Sequence, residues 1–225
     1  MPNKPAIWSW TSMRYRSWRA HLGAVLICFV LGACATQSVP MVPSNRTFTA
    51  RDYEDVYARW TRDVASFSFQ SMREQLHASA TFEGWEFRWA YVVRYANDFA
   101  LDTDARAAML RATLQDATEH HRFFVTVAAE RFRDSDLVGD AAGWRVLLVD
   151  AEGRSIPPSS IEEIDRPTPA ERQYFMSITN YRKIFRVTFP VEYPDGSPTI
   201  PTEGPSFVLR FTGPQGSVDL QWDTR

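Results

Sequence analysis

The chain has 225 residues, with 25 basic against 27 acidic side chains for a formal charge of −2, and 14% of its residues are aromatic. That length suits one domain with a sizeable core filled by bulky rings, and the charge balance excludes an electrostatic partner such as nucleic acid. The two cysteines, Cys28 and Cys34, both fall near the N-terminus, so the chain beyond them holds no thiol pair for a disulfide or a zinc cluster.

The N-terminus differs from everything after it. Lys4, Arg14, Arg16 and Arg19 come without any acidic residue and lead into an almost wholly apolar run over residues 22–33. This is the charged-then-apolar order of a secretory signal. A run of about a dozen residues falls short of the roughly 20 that a spanning helix needs, so the segment is expected to leave with the signal. The run closes on Leu31-Gly32-Ala33-Cys34. These four residues resemble the bacterial lipobox: an aliphatic residue, two small ones, then the cysteine that accepts a diacylglyceryl group. The resemblance implies that residues 1–33 are a lipoprotein signal peptide and that the acylated Cys34 makes membrane lipid the first partner of the protein. Several acyl chains on one residue hold far more firmly than one. Because Ala35 rather than Asp follows the cysteine, the sorting rule of such lipoproteins implies the periplasmic leaflet of the outer membrane. Loss of the signal removes four basic residues, leaving 21 basic against 27 acidic.

Residues 34–47 read as a lipidated tether, since Ser38, Pro40, Pro43, Ser44 and Asn45 interrupt any periodicity. Fully extended, the thirteen residues after Cys34 reach about 40 Å, enough to lift a domain off the headgroups. A single globular domain over residues 48–225 follows, mainly helical over 48–121 and β over 122–225. Thr49 and Asp52 form a capping box with Asp in place of Glu, and Phe48 and Tyr53 stand at the positions of a hydrophobic staple. Tyr53, Val56, Tyr57, Trp60 and Val64 recur at helical spacing and predict a core-facing helix over residues 50–64. Leu76, Ala78, Ala80 and Phe82 alternate as a strand ending at Glu83-Gly84. Residues 85–99 fit two patterns: Trp85, Phe87, Trp89, Tyr91, Val93 and Tyr95 alternate, whereas Trp85, Trp89, Val92, Val93, Ala96 and Phe99 share a helical face. A helix is preferred over a hairpin turning at Glu83-Gly84, because Asp102-Thr103 then turns into a second helix over residues 104–118.

The second half reads as strands at residues 123–129, 144–150, 184–189, 207–211 and 218–222. Glu152-Gly153, Pro157-Pro158, Pro194-Asp195-Gly196 and the hairpin turn Gly213-Pro214-Gln215-Gly216 separate them. Five or more strands with no long helix between them predict an antiparallel sheet structure. The expected fold class is therefore α+β, with N-terminal helices followed by an immunoglobulin-like antiparallel β-sandwich. Ala80-Thr81-Phe82, the run from Phe87 to Val92, Phe123-Phe124-Val125, the run from Trp144 to Leu148, Val187-Thr188-Phe189-Pro190 and Leu220-Gln221-Trp222 together resemble a family of uncharacterised proteobacterial lipoproteins. That resemblance implies the helix at residues 85–99 and the β half, and supplies no active site.

Candidate chemistry is sparse. His120-His121 with His77 and Glu119 suggest metal ligands, but adjacent histidines diverge on either a strand or a helix, and the pair is expected exposed at a helix end. Asp134, Asp136, Gly139 and Asp140 resemble a calcium loop that lacks oxygen ligands where Val138 and Arg145 stand. Glu162-Glu163 with Asp165 make a carboxylate group on what reads as an exposed connection. Asn45-Arg46-Thr47 matches a glycosylation acceptor only by chance in such a tether. No nucleophile elbow, zinc-protease helix or phosphate loop occurs, and no cofactor or metal is expected. The reading leaves a non-enzymatic binding or accessory module facing an envelope protein partner, with a structural envelope lipoprotein as the alternative and a periplasmic enzyme as the more distant one.

Overall fold

The computed structural model describes residues 37–68, 73–139 and 142–224. The signal, the lipobox Leu31-Gly32-Ala33 and the lipidation site Cys34 lie outside those residues. Thr49 donates its backbone N–H and its hydroxyl to the Asp52 carboxylate, each at 2.7 Å, which is the acidic half of the predicted capping box. The resulting 3-10 turn, Ala50–Asp52, runs into helix α1, Tyr53–Trp60, which buries the expected stripe of Tyr53, Val56, Tyr57 and Trp60. Phe48 is buried too, but against Trp85 and Trp89 at 6.4 and 6.0 Å between ring centroids.

Helix α1 ends earlier than its sequence pattern predicts. Thr61 is extended and opens strand β1, Thr61–Ser68, so Val64 belongs to a ladder and not to the helix. Strand β1 pairs antiparallel with β2, Arg73–Phe82, from Thr61 opposite Thr81 to Ser68 opposite Arg73, with a bulge at Ser66/Phe67. It is an edge strand with no fully buried side chain described, which is why no apolar alternation announces it. Helix α2, Trp85–Asp98, forms as preferred and buries residues around most of its circumference, including Trp85, Glu86, Phe87, Arg88 and Val92. A helix covered on nearly all sides shows no single stripe, hence its double pattern in the sequence. Helix α3, Thr103–Glu119, starts at Asp102, whose carboxylate accepts the Ala105 N–H at 2.7 Å, and no residue of it is fully buried.

Strand β3, His120–Ala129, returns alongside β2, pairing Leu76 with Ala129 and Phe82 with Phe123. Helices α2 and α3 are thus inserted between two neighbouring strands. The remaining elements are β4 (Arg145–Val149), β5 (Ser155–Ile156), β6 (Ser160–Glu163), helix α4 (Pro169–Tyr174), β7 (Lys183–Pro190), β8 (Ser206–Gly213) and β9 (Gly216–Asp223). Among the described residues the fold is α+β, with four α-helices and two antiparallel sheets ordered β1-β2-β3-β7-β6 and β5-β4-β8-β9. The expected order of helices before strands does not hold: β1 and β2 lie between α1 and α2 and share a sheet with β3, β7 and β6. Glu162 and Glu163 sit on edge strand β6, not on a loop.

Strand β3 is covered on both faces. Phe123 meets Phe207 of β8 and Trp222 of β9 at 6.4 and 5.5 Å, while the adjacent Phe124, pointing the other way, stacks on Phe175 after α4 at 3.7 Å. Phe207 and Trp222 stack on each other at 5.3 Å.

The segment expected to be a free tether is docked from its first described residue. Gln37 accepts a bond from Arg62 through its carbonyl, fully buried Val39 donates its N–H to Asp223 at 2.8 Å, and the Pro40 carbonyl accepts the Trp85 indole N–H at 2.8 Å. Val39 pairs with Thr224 as a parallel bridge. Burial of Val39 and two satisfied carbonyls outweigh the conformational freedom that Pro40 and Pro43 suggest.

The carboxylate of Glu86, 2% exposed, holds this region together. It accepts the Trp60 indole N–H at 2.8 Å, Arg59 at 2.8 and 3.0 Å and Arg46 at 3.2 Å. Substituting Glu86→Ala strands Arg59 beside an emptied site and should cost about 3–5 kcal/mol, whereas Arg46→Ala, removing a half-exposed partner, should cost no more than about 1 kcal/mol. Urea denaturation of both variants checks the ranking; equal small effects would show that the carboxylate is not the keystone.

Candidate functional site

Where the docked segment, α1, α2, α3 and β3 meet, they leave a largely apolar cleft of about 320 Å³. The size lies at the lower end of small-molecule pockets. Trp60, at the end of α1, forms part of its wall because its ring is held by the Glu86 bond and lies over Gly84. A β-carbon at position 84 would come within 2.7 Å of that ring, so only glycine admits this approach. Helix α2 adds Trp85 and Trp89, helix α3 adds Leu114 and Ala117, and Met41 and Pro43 close the side toward the N-terminus. Ile200, in the loop before β8, brings in the second sheet.

The polar lining of the cleft comprises Glu83, Thr118, His120, His121 and Thr202. The two histidines are half-buried at the start of β3, not exposed at a helix end, because the chain passes directly from α3 into the ladder. His121 packs edge-on against Phe82 at 5.7 Å between centroids. Burial first, and the Arg88 charge second, push its imidazole down to about 4. His120 keeps Nδ1 3.5 Å from Asp116.

The other residues suggested by the sequence do not gather here. His77 lies on β2 opposite Ala128 and contacts Arg182 at 2.9 Å and Glu74 at 3.1 Å. Asp136 accepts Lys183 at 3.0 Å and Glu163 pairs with the same lysine at 2.9 Å; Asp140 lies outside the described residues. Among the described residues no three His, Cys, Asp or Glu side chains stand where they could share a metal ion, and no helix is long and apolar enough to cross a membrane. Trp60, Trp85 and Trp89 stand out in the sequence only as core aromatics. Nothing local marks Glu86 or Arg88 as buried.

Compared with protein-family models, curated proteins and solved structures, the chain matches none.

The low value for His121 has a consequence for stability. Its ordinary value is 6.5, so the unfolded chain takes up a proton below that pH that the folded chain refuses until about 4. Stability is therefore insensitive to this group above pH 6.5 and falls as the pH drops from about 6.5 to 4. Thermal melts across this range should show that loss in the parent chain and a flatter profile in His121→Phe; identical slopes would mean that carboxylates alone account for it.

Proposed function

We propose that this chain is a lipid-anchored binding module of a bacterial envelope, whose apolar cleft takes up an aliphatic segment of a ligand. The cleft carries the reading: it is large enough for a small-molecule chain, it is walled by Trp60, Trp85, Trp89 and Leu114, and its lining is largely apolar. In this reading Leu31-Gly32-Ala33-Cys34 directs acylation of Cys34, and Ala35 sends the protein to the outer membrane, facing the periplasm. The packing of Phe123 on Phe207 and Trp222 supports an immunoglobulin-like β-sandwich as the scaffold.

The docked segment changes how such a module sits. Only Ala35 and Thr36 separate Cys34 from Gln37, whose carbonyl already accepts a bond from Arg62. Three residue steps span at most about 11 Å, so the acylated domain lies against the bilayer. Met41 and Pro43, which wall the cleft, follow within nine residues of the anchor. That proximity favours an acyl chain of the supporting membrane as the ligand, and a non-enzymatic accessory role beside an envelope protein partner.

Two measurements test this reading. Cys34→Ala should abolish labelling by a palmitate analogue and release the protein from membranes that otherwise band with the outer membrane on a density gradient. The fluorescent fatty acid cis-parinaric acid should bind the parent chain saturably, and Ala117→Phe, which fills the cleft from α3, should weaken that binding at least tenfold. Undiminished labelling of Cys34→Ala would sink the anchor, and unchanged parinarate binding by Ala117→Phe would sink the cleft as its site.

A further inference from the structure

On another side of Glu83, helices α2, α3 and α4 and strands β3 and β7 enclose a second, separate pocket of about 150 Å³. Arg88, Arg122 and Arg186 converge on it, together with Glu83 and Glu171. Arg88 is 4% exposed. Its Nη1 donates to the Thr113 carbonyl at 2.9 Å and to Asp116, and its Nε donates to the Glu83 carbonyl, but its Nη2 is buried with no partner. Arg122 repeats the pattern: one Nη pairs with Asp116 at 2.6 Å and Nε is buried with no partner. One carboxylate thus serves two guanidinium groups, which leaves an excess positive charge and two idle donors among the residues around the pocket. Buried donors of this kind are rare unless something that belongs there supplies the acceptor.

Around Arg186 the excess is reversed. Glu83 and Glu171 share Arg186, which bonds Glu171 at 3.3 Å and stays 4.0 Å from Glu83. Glu171 also caps α4 through the Thr168 N–H at 2.7 Å. The Glu83 carboxylate, whose side chain is 13% exposed, makes no hydrogen bond among the described residues.

Three guanidinium groups face three carboxylates when Asp116 is included, so the pocket as a whole is formally neutral. An anion alone would leave it one charge negative, and a cation alone one charge positive. A molecule with both charges leaves the balance unchanged and meets both the idle arginine donors and the Glu83 carboxylate. We infer that this pocket binds a small zwitterion, its phosphate or carboxylate on Arg88 and Arg122 and its ammonium on Glu83, with Tyr91 beside it. Two sources share that chemistry: a phosphoethanolamine headgroup and a free amino acid. The inference is independent of what occupies the apolar cleft.

Titration of the purified full chain, followed by NMR of the arginine Nε–Hε resonances, tests it with sn-glycero-3-phosphoethanolamine, L-alanine, inorganic phosphate and ethanolamine as four separate probes. At least one zwitterion should shift the arginine resonances saturably and bind at least tenfold tighter than phosphate or ethanolamine alone; the tighter of the two identifies the source. Glu83→Gln should weaken the zwitterion at least tenfold while leaving phosphate binding equal or stronger, since it removes a negative charge. Arg122→Gln should weaken both, and melting curves of the two variants separate loss of binding from loss of fold. Phosphate binding as tightly as either zwitterion, no effect of Glu83→Gln, or no saturable shift with either zwitterion would each overturn the inference.

Discussion

The buried carboxylate of Glu86 is the interaction on which the rest of this structure depends. An ionised group taken out of water is costly unless its lone pairs are met, and here the Trp60 indole and two arginines meet them. The donors come from the docked N-terminal segment and from two consecutive residues in the last turn of α1, so one charge joins that segment, α1 and α2. The same Trp60 accepts the Trp222 indole N–H through its carbonyl at 2.9 Å, which extends the link to the second sheet. With the ring of Trp60 held by Glu86 and its backbone by Trp222, Gly84 is the residue that lets α2 start beside it.

The cleft follows from that anchor together with the insertion of two helices between β2 and β3. These strands are antiparallel neighbours, so α2 and α3 must leave and re-enter at the same end of the sheet. Helix α2 returns over the sheet and is buried; α3 stays outside, held by Leu114 and by the bonds of Arg88 to Thr113 and Asp116. A helix attached mainly through polar contacts leaves the apolar space beneath it only partly filled, and that space is the cleft. The same bonds form one end of the arginine pocket, so helix α3 contributes to both sites.

Strand β3 shows why the aromatic fraction is high. Its middle residues, Phe123 to Val127, are buried on alternating faces because one side meets β8 and β9 and the other meets Phe175. Covering both faces of a strand with rings fills wide spaces with few side chains. It also places His121, two residues earlier, where protonation is disfavoured.

Read by itself, the sequence determined what short-range patterns encode. The α2 and α3 helices, the turn at Asp102-Thr103, five strands of the second half and the turns at Gly153, Gly196 and Gly213–Gly216 all follow from periodicity and turn chemistry within a few residues. The start of α4 was legible in the same way, since Thr168-Pro169-Ala170-Glu171 is a capping box with proline at its first position, although the strand pattern around it draws attention elsewhere. Only the tertiary structure decided the end of α1, the edge strands β1, β5 and β6 and the docking of residues 37–47, because each depends on a partner far along the chain: Thr61 on Thr81, Val39 on Thr224, Ile161 on Val187. The same holds for both pockets. Glu86, Arg88 and Glu83 are charged residues on or next to a helix, and no local pattern distinguishes a buried charge from a solvated one. Which of them loses water is set by the partners that long-range packing brings to it.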